Sequence, residues 1–293
     1  MEILIDASAG CCPGVVKAIR KAEQAIGEGR PLLSLGQIVH NEREAERLQK
    51  QGMRTVLHVD EGDAAGYMLI RAHGEPPSTY AALDAGKRPY IDATCPVVLR
   101  LQRKVGEAAL RMEKSGGYVL LFAKSGHPEA TGLMGHTRGL GRIVSLEDLP
   151  MDTLHHPLEI FAQTTMDPEA YEAFLHRILQ ERDRLRAPSA ELHIHRTICG
   201  FVANRKESLT RFASSVDLLL FLTGKESSNG KYLFSLALKA NAAAHALGGP
   251  DELQPEWFRG VRRLGISGAT STPVWQMEEL ARVIREHYAS IEF

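Results

Sequence analysis

The chain has 293 residues, 44% hydrophobic and 24% charged, with a formal net charge of −1. This is the composition of a folded globular protein with room for two or three small domains. It excludes whole-chain attraction to nucleic acid or anionic membrane, and no local basic stripe stands out, so neither is expected as a partner. Met1-Glu2-Ile3-Leu4-Ile5-Asp6 lacks a basic leader followed by a long apolar stretch. No apolar run reaches the about 18 residues a membrane helix needs, and a cytoplasmic location is expected.

The first predicted element is an apolar strand, Ile3-Leu4-Ile5, running through Asp6-Ala7-Ser8 into Cys11-Cys12-Pro13-Gly14. Strand, turn and cysteine recur at Tyr90-Ile91-Asp92-Ala93-Thr94-Cys95-Pro96 and at Leu192-His193-Ile194-His195-Arg196-Thr197-Ile198-Cys199-Gly200. These use all four cysteines of the chain, too few for a disulfide scaffold, and no Cys-x-x-Cys pair suggests a zinc ribbon or dithiol redox motif. Helical periodicity follows each cysteine, over 15–26, 97–114 and 202–213. Pro13, Pro96 and Gly200 occupy the first helical turns, where proline's missing N–H costs nothing.

Each helix is followed by two further apolar runs ending in polar loops. The first of these runs covers 32–41, 119–129 and 218–229; the second covers 67–74, 158–165 and 261–272. The reading is therefore an α/β protein of three similar small parallel-sheet units, with three strand-loop-helix steps in each. The expected boundaries are 13–95, 96–196, and 1–12 together with 197–293, the first strand joining the last unit. In open parallel sheets ligands bind at the strand C-termini, which would gather the three cysteines and the polar loops.

Three thiolates in such a place would hold an iron–sulfur cluster, a metal ion or nothing, since cysteine also packs as a small apolar residue. Cys12 precedes Pro13 as Cys95 precedes Pro96, so Cys12 is the better ligand and Cys11 is expected to pack. The loops carry His40-Asn41, His73-Gly74, His127-Pro128-Glu129, Gln163-Thr164-Thr165, Ser227-Ser228-Asn229 and Ser271-Thr272. Hydroxyl, amide and imidazole donors of this kind suit a phosphorylated ligand. Glu129 is the one carboxylate among them and the natural proton carrier. Singly, each loop is as well explained by a helix cap or turn. His155, His156, His193 and His195 lie away from these loops, and the mixed run Gln180–Arg186 reads as a solvated helix face.

With these residues the sequence resembles the 4-hydroxy-3-methylbut-2-enyl diphosphate reductases, the LytB/IspH family of the non-mevalonate isoprenoid pathway. The matching segments are Gly10-x-Cys12-x-Gly14-Val15, Val39-His40-Asn41, Ala72-His73-Gly74, Asp92-Ala93-Thr94-Cys95-Pro96, Gly126-His127-Pro128-Glu129, Gln163-Thr164-Thr165, Ile198-Cys199 and Ser227-Ser228-Asn229. The resemblance implies a pseudo-threefold trefoil around a central [4Fe-4S] cluster with three cysteine ligands, Cys12, Cys95 and Cys199, and one open iron. It implies removal of the substrate's allylic hydroxyl to give isopentenyl and dimethylallyl diphosphate, with electrons from reduced ferredoxin or flavodoxin. Glu129, His127 and Thr165 would be catalytic; His40, His73, Thr164, Ser227, Ser228, Asn229 and Ser271 would bind substrate. The chain departs from the family pattern at Val202-Ala203, where a threonine and often a second polar residue are usual. It also departs at Cys11, usually aromatic, and at Lys124, more often His or Asp. These departures also fit a paralogue with a different substrate; a cluster-based redox or iron sensor is the non-enzymatic alternative.

Overall fold

A computed structural model describes residues 1–62, 66–186, 190–225 and 227–288, with the Ser228 side chain excepted. The chain forms two compact units, one of residues 1–19, 37–52 and 200–293 and the other of residues 20–36 and 53–199.

The first unit holds one four-stranded sheet of β1 (Glu2–Ile5), β10 (Leu218–Leu222), β11 (Ala244–Leu247) and β12 (Arg263–Gly268), in the order β1-β12-β10-β11. All pairs are parallel, with Leu4 opposite Gly265 and Leu220 opposite Ile266. β10 reads Leu-Leu-Leu-Phe-Leu because both its faces are covered, as parallel sheets require. Leu218, Leu220 and Leu222 pack with Ile266 against Met277, Leu280 and Ile284 of α9 (Val274–His287). Leu219 and Phe221 turn to the other face, against Leu209 of α7 (Gly200–Ala213) and Leu233 of α8 (Ser228–Ala240).

The second unit holds two sheets of the same design. One runs β3 (Met53–Val56), β2 (Leu32–Leu35), β4 (Tyr67–Ile70), β5 (Tyr90–Asp92); the other runs β7 (Gly141–Val144), β6 (Tyr118–Phe122), β8 (Leu158–Ala162), β9 (Leu192–Ile194). Every pairing is again parallel. Around β6, Val119 and Leu121 face α4 (Pro96–Ser115) and α5 (Pro128–Gly135), while Leu120 and Phe122 face α6 (Pro168–Arg184). α3 (Pro77–Ala85) covers the β2–β5 sheet through Leu83.

In all three sheets the strand that leads to a cysteine is an edge strand, β1, β5 or β9. Each sheet has four strands rather than the three expected, the addition being the short edge strand β3, β7 or β11. The chain is shared between the two units in alternating segments. α1 (Pro13–Gly27) begins in the first unit, and α2 (Glu42–Lys50) lies wholly in it although the flanking strands β2 and β3 do not. Side chains explain the placement of α2. Asn41, its cap, exchanges two hydrogen bonds with Gln276 at 2.8 and 3.0 Å, Trp275 Nε1 donates to Glu44 Oε2 at 2.8 Å, and Arg43 pairs with Glu279 at 2.8 Å.

Candidate functional site

Each strand that carries a cysteine ends in a turn that holds the thiol in place by backbone bonds. Asp6 Oδ1 accepts from Ser8 N and Oγ, and Asp92 Oδ1 accepts from Thr94 N and Oγ1. The third turn replaces the carboxylate with a backbone clasp, in which Thr197 Oγ1 donates to Ala162 O and accepts from Ala162 N. The cysteine N–H then donates to a carbonyl of the adjacent loop: Cys12 to Thr270, Cys95 to Ala72 and Cys199 to Thr164, at 2.9 to 3.0 Å. All three thiols are half-buried. Cys11 differs, because burial first, then the neighbouring Cys12 and Glu44, pushes its thiol pKa upward and keeps it protonated.

In the second unit the acid is set by α5. His127 caps the helix, its Nδ1 accepting from Glu129 N at 3.1 Å, and Pro128 takes the first helical position. Glu129 is 2% exposed. Both its oxygens are taken by one residue, for Thr164 N donates to Oε1 at 2.7 Å and Thr164 Oγ1 to Oε2 at 2.8 Å. Burial raises the Glu129 pKa to about 7, against the lowering effect of these two bonds. Thr164 O also receives Cys199 N, so a single residue joins the acid to a cysteine turn. Thr165, expected beside the acid, instead accepts from Gln163 Nε2 at 2.8 Å, and Gln163 Oε1 accepts from Lys124 N. His73 sets its ring edge-on to His127, centroids 5.4 Å apart. The next residue, Gly74, has φ +71° and no room for a Cβ, which would lie 2.5 Å from Gln102 Nε2.

In the first unit the loop after β12 gathers the polar groups. Thr270 Oγ1 donates to Asn229 Oδ1 at 2.7 Å, while Ser271 Oγ lies 3.3 Å from Ser227 Oγ and donates to His40 O at 3.3 Å. Ser227 is itself the cap of α8, accepting from Gly230 N. Ser228 opens that helix, and its side chain lies outside the described residues. Asn41 serves α2 and Gln276, and Thr272 donates to Leu222 O. Both are structural. Thr270 was not among the expected residues although it adjoins Ser271-Thr272; its equivalence to Ala72 and Thr164 lies in a backbone carbonyl, which residue type does not reveal.

The LytB protein family model matches residues 3–285. The chain belongs to the LytB family. Among LytB relatives, 4-hydroxy-3-methylbut-2-enyl diphosphate reductase of Parabacteroides distasonis is 41% identical over 294 residues, covering 99% of each chain. The reductase of the same name from Bacteroides fragilis is 37% identical, covering 97% of this chain and 98% of that one. A solved structure of (E)-4-hydroxy-3-methyl-but-2-enyl diphosphate reductase, the terminal enzyme of the non-mevalonate pathway, aligns with TM-score 0.72 at 34% identity, over 98% of this chain and 100% of that one. The E-1-hydroxy-2-methyl-but-2-enyl-4-diphosphate reductase of Plasmodium falciparum shares the fold, with TM-score 0.80 at 22% identity over 98% and 89%. Of the LytB departures, Val202 is buried at 4% exposure on α7 and Ala203 is half-buried. Neither brings a polar side-chain atom.

Proposed function

We propose that this LytB chain reduces 4-hydroxy-3-methylbut-2-enyl diphosphate to isopentenyl and dimethylallyl diphosphate. Two electrons and two protons break the allylic C–O bond, leaving a C–H bond and water. Cys12, Cys95 and Cys199 would hold a [4Fe-4S] cluster. Three half-buried thiols with their backbones fixed in the same way, and among the described residues no fourth of matching environment, fit a cluster with one iron left open. When bound, the cluster supplies the electrons and a Lewis-acidic position for the hydroxyl. Reduced ferredoxin or flavodoxin would be the electron donor.

The observation that carries the reading is the bond pair between Glu129 and Thr164. With a pKa about 7, the acid is partly protonated at neutral pH. Once protonated on Oε2 it donates to Thr164 Oγ1, and Thr164 passes its own hydroxyl proton to the departing oxygen. Glu129 is left ionised between the Thr164 N–H and O–H. Thr164 thereby takes the relay position, with His127 holding Glu129 N. His40, His73, Ser227, Ser228, Asn229 and Ser271 would hold the diphosphate by charge and hydroxyl or amide donation. Thr165 stands one residue away, on Gln163. Turnover of the diphosphate by anaerobically reconstituted protein with dithionite, with iron and sulfide quantified in the same sample, tests the proposal. A full cluster with no turnover would overturn it.

A further inference from the structure

The helices α1 and α4, which both open at a cysteine, repeat one charge pattern. Pro-Gly-Val-Val-Lys-Ala-Ile-Arg-Lys follows Cys12, and Pro-Val-Val-Leu-Arg-Leu-Gln-Arg-Lys follows Cys95. Lys17, Arg20 and Lys21 thus match Arg100, Arg103 and Lys104 position for position, with no acidic residue in either nine-residue stretch. Cations in the first half of a helix gain nothing from its dipole, whose positive end favours acids. Folding does not require them either, since α7 opens at the third cysteine with Asn204, Glu207 and Ser208 in the same places.

The two copies are used differently. In α1, Lys21 is half-buried and its Nζ donates to Asp92 O. In α4, Arg100, Arg103 and Lys104 are all exposed, and among the described residues none of them is in an ion pair. At spacings of three and four they share one face with exposed Pro96, and Glu107 follows a turn later. At 1.5 Å per residue, Arg100 is about 7.5 Å and Lys104 about 13.5 Å along the axis from Cys95.

We propose that this face of α4 is the docking surface for an acidic one-electron carrier protein, which delivers its electrons beside Cys95. The inference rests on the reductase reading for its purpose and on the helix for its place. The reaction takes two electrons and the substrate brings none, so a reduced protein must dock repeatedly, be oxidised by one electron each time and leave. A rim of unpaired surface cations does this well, because it speeds encounter with an acidic partner without the tight grip of a buried interface.

The test uses cluster-loaded enzyme, a purified acidic two-iron ferredoxin, and the triple variant Arg100→Glu, Arg103→Glu, Lys104→Glu. The same charge change at Lys239, Arg282 and Arg285 serves as control. The α4 variant is expected to bind ferredoxin about tenfold or more weakly, with a flattened salt dependence, and to raise the KM for reduced ferredoxin accordingly. Turnover with dithionite should stay unchanged, and Tm should change little, since all three side chains are exposed and the added Glu107 repulsion at spacings of three and four is small. Equal weakening by the control triple, or unchanged ferredoxin binding by the α4 variant, would overturn the proposal. So would binding of duplex DNA or anionic vesicles by the wild type in preference to ferredoxin. Absence of dithionite turnover in the wild type would count against the reductase reading alone, because the binding constant is read independently.

Discussion

Glu129 occupies a place where burial and hydrogen bonding pull against each other. The carboxyl titrates near 4.5 in the unfolded chain and at about 7 when folded. Between those values the folded state keeps a proton that the unfolded state has lost, so stability falls as pH rises through this window. The loss is complete above it, and amounts to about 3 kcal/mol. Glu129→Gln accepts from Thr164 N without ever ionising. The stability difference between variant and wild type should therefore grow from near zero at pH 4.5 to about this size at pH 8, in urea melts across the range. Parallel curves would show that Glu129 titrates normally. The same substitution should abolish most turnover while leaving cluster content intact, and wild-type kcat should decline above pH 7. Thr164→Val, which removes the hydroxyl that links acid to substrate, should cost far more turnover than Thr165→Val, on the scale of about 10²–10⁴-fold for a lost acid–base relay. Sequence made Glu129 legible as the one carboxylate in the polar loops. It did not tell Thr164 from its neighbour, because which of two adjacent hydroxyls faces the acid depends on backbone direction at the end of β8.

At the scale of elements, the cysteine turns were legible because each is written locally: a strand, an Asp-x-Ser/Thr or similar clasp, a thiol, a helix start. The edge strands β3, β7 and β11 were not legible, since Met-Arg-Thr-Val, Gly-Arg-Ile-Val and Ala-His-Ala-Leu are four residues each and carry exposed positions. The allegiance of α2 was hidden for a different reason, its partners Trp275, Gln276 and Glu279 lying more than two hundred residues away. One further element link is the ion pair of Arg205 on α7 with Asp6, at 2.8 Å. Arg205 also donates to Ser8 Oγ and Ser267 Oγ, so one guanidinium ties α7 to the turn after β1 and to β12. Both charges are buried, with side chains 2% and 5% exposed. Removing one partner of such a pair strands the other, and Arg205→Ala should lower unfolding free energy by about 3–5 kcal/mol. Adding Asp6→Asn to that variant should recover part of the loss. A cost under 1 kcal/mol in Arg205→Ala, measured by urea titration, would mean that Asp6 is satisfied by its serines alone.

At the scale of the whole molecule, the repeated sheet plan hides how the chain is shared out. It passes between the two compact units four times, at 19/20, 36/37, 52/53 and 199/200. Neither unit is a continuous segment. A fragment of residues 53–199 contains all of the β6–β9 sheet but lacks β2, the strand to which both β3 and β4 are paired. Without it the other sheet of that unit has no centre. The first unit depends in the same way on α2, which reaches it only through the segment 37–52. Such interleaving predicts one cooperative unfolding transition rather than two, because folding of either unit fixes the ends of chain segments that belong to the other and so lowers the entropy cost of ordering them. The two tryptophans make this testable. Trp257 and Trp275 both belong to the first unit, so their fluorescence reports on it alone, whereas far-ultraviolet circular dichroism reports on the helices of both. In urea the two signals should trace the same curve, with the same midpoint and slope. A fluorescence midpoint displaced from the dichroism midpoint would show that the units unfold separately in spite of their shared chain.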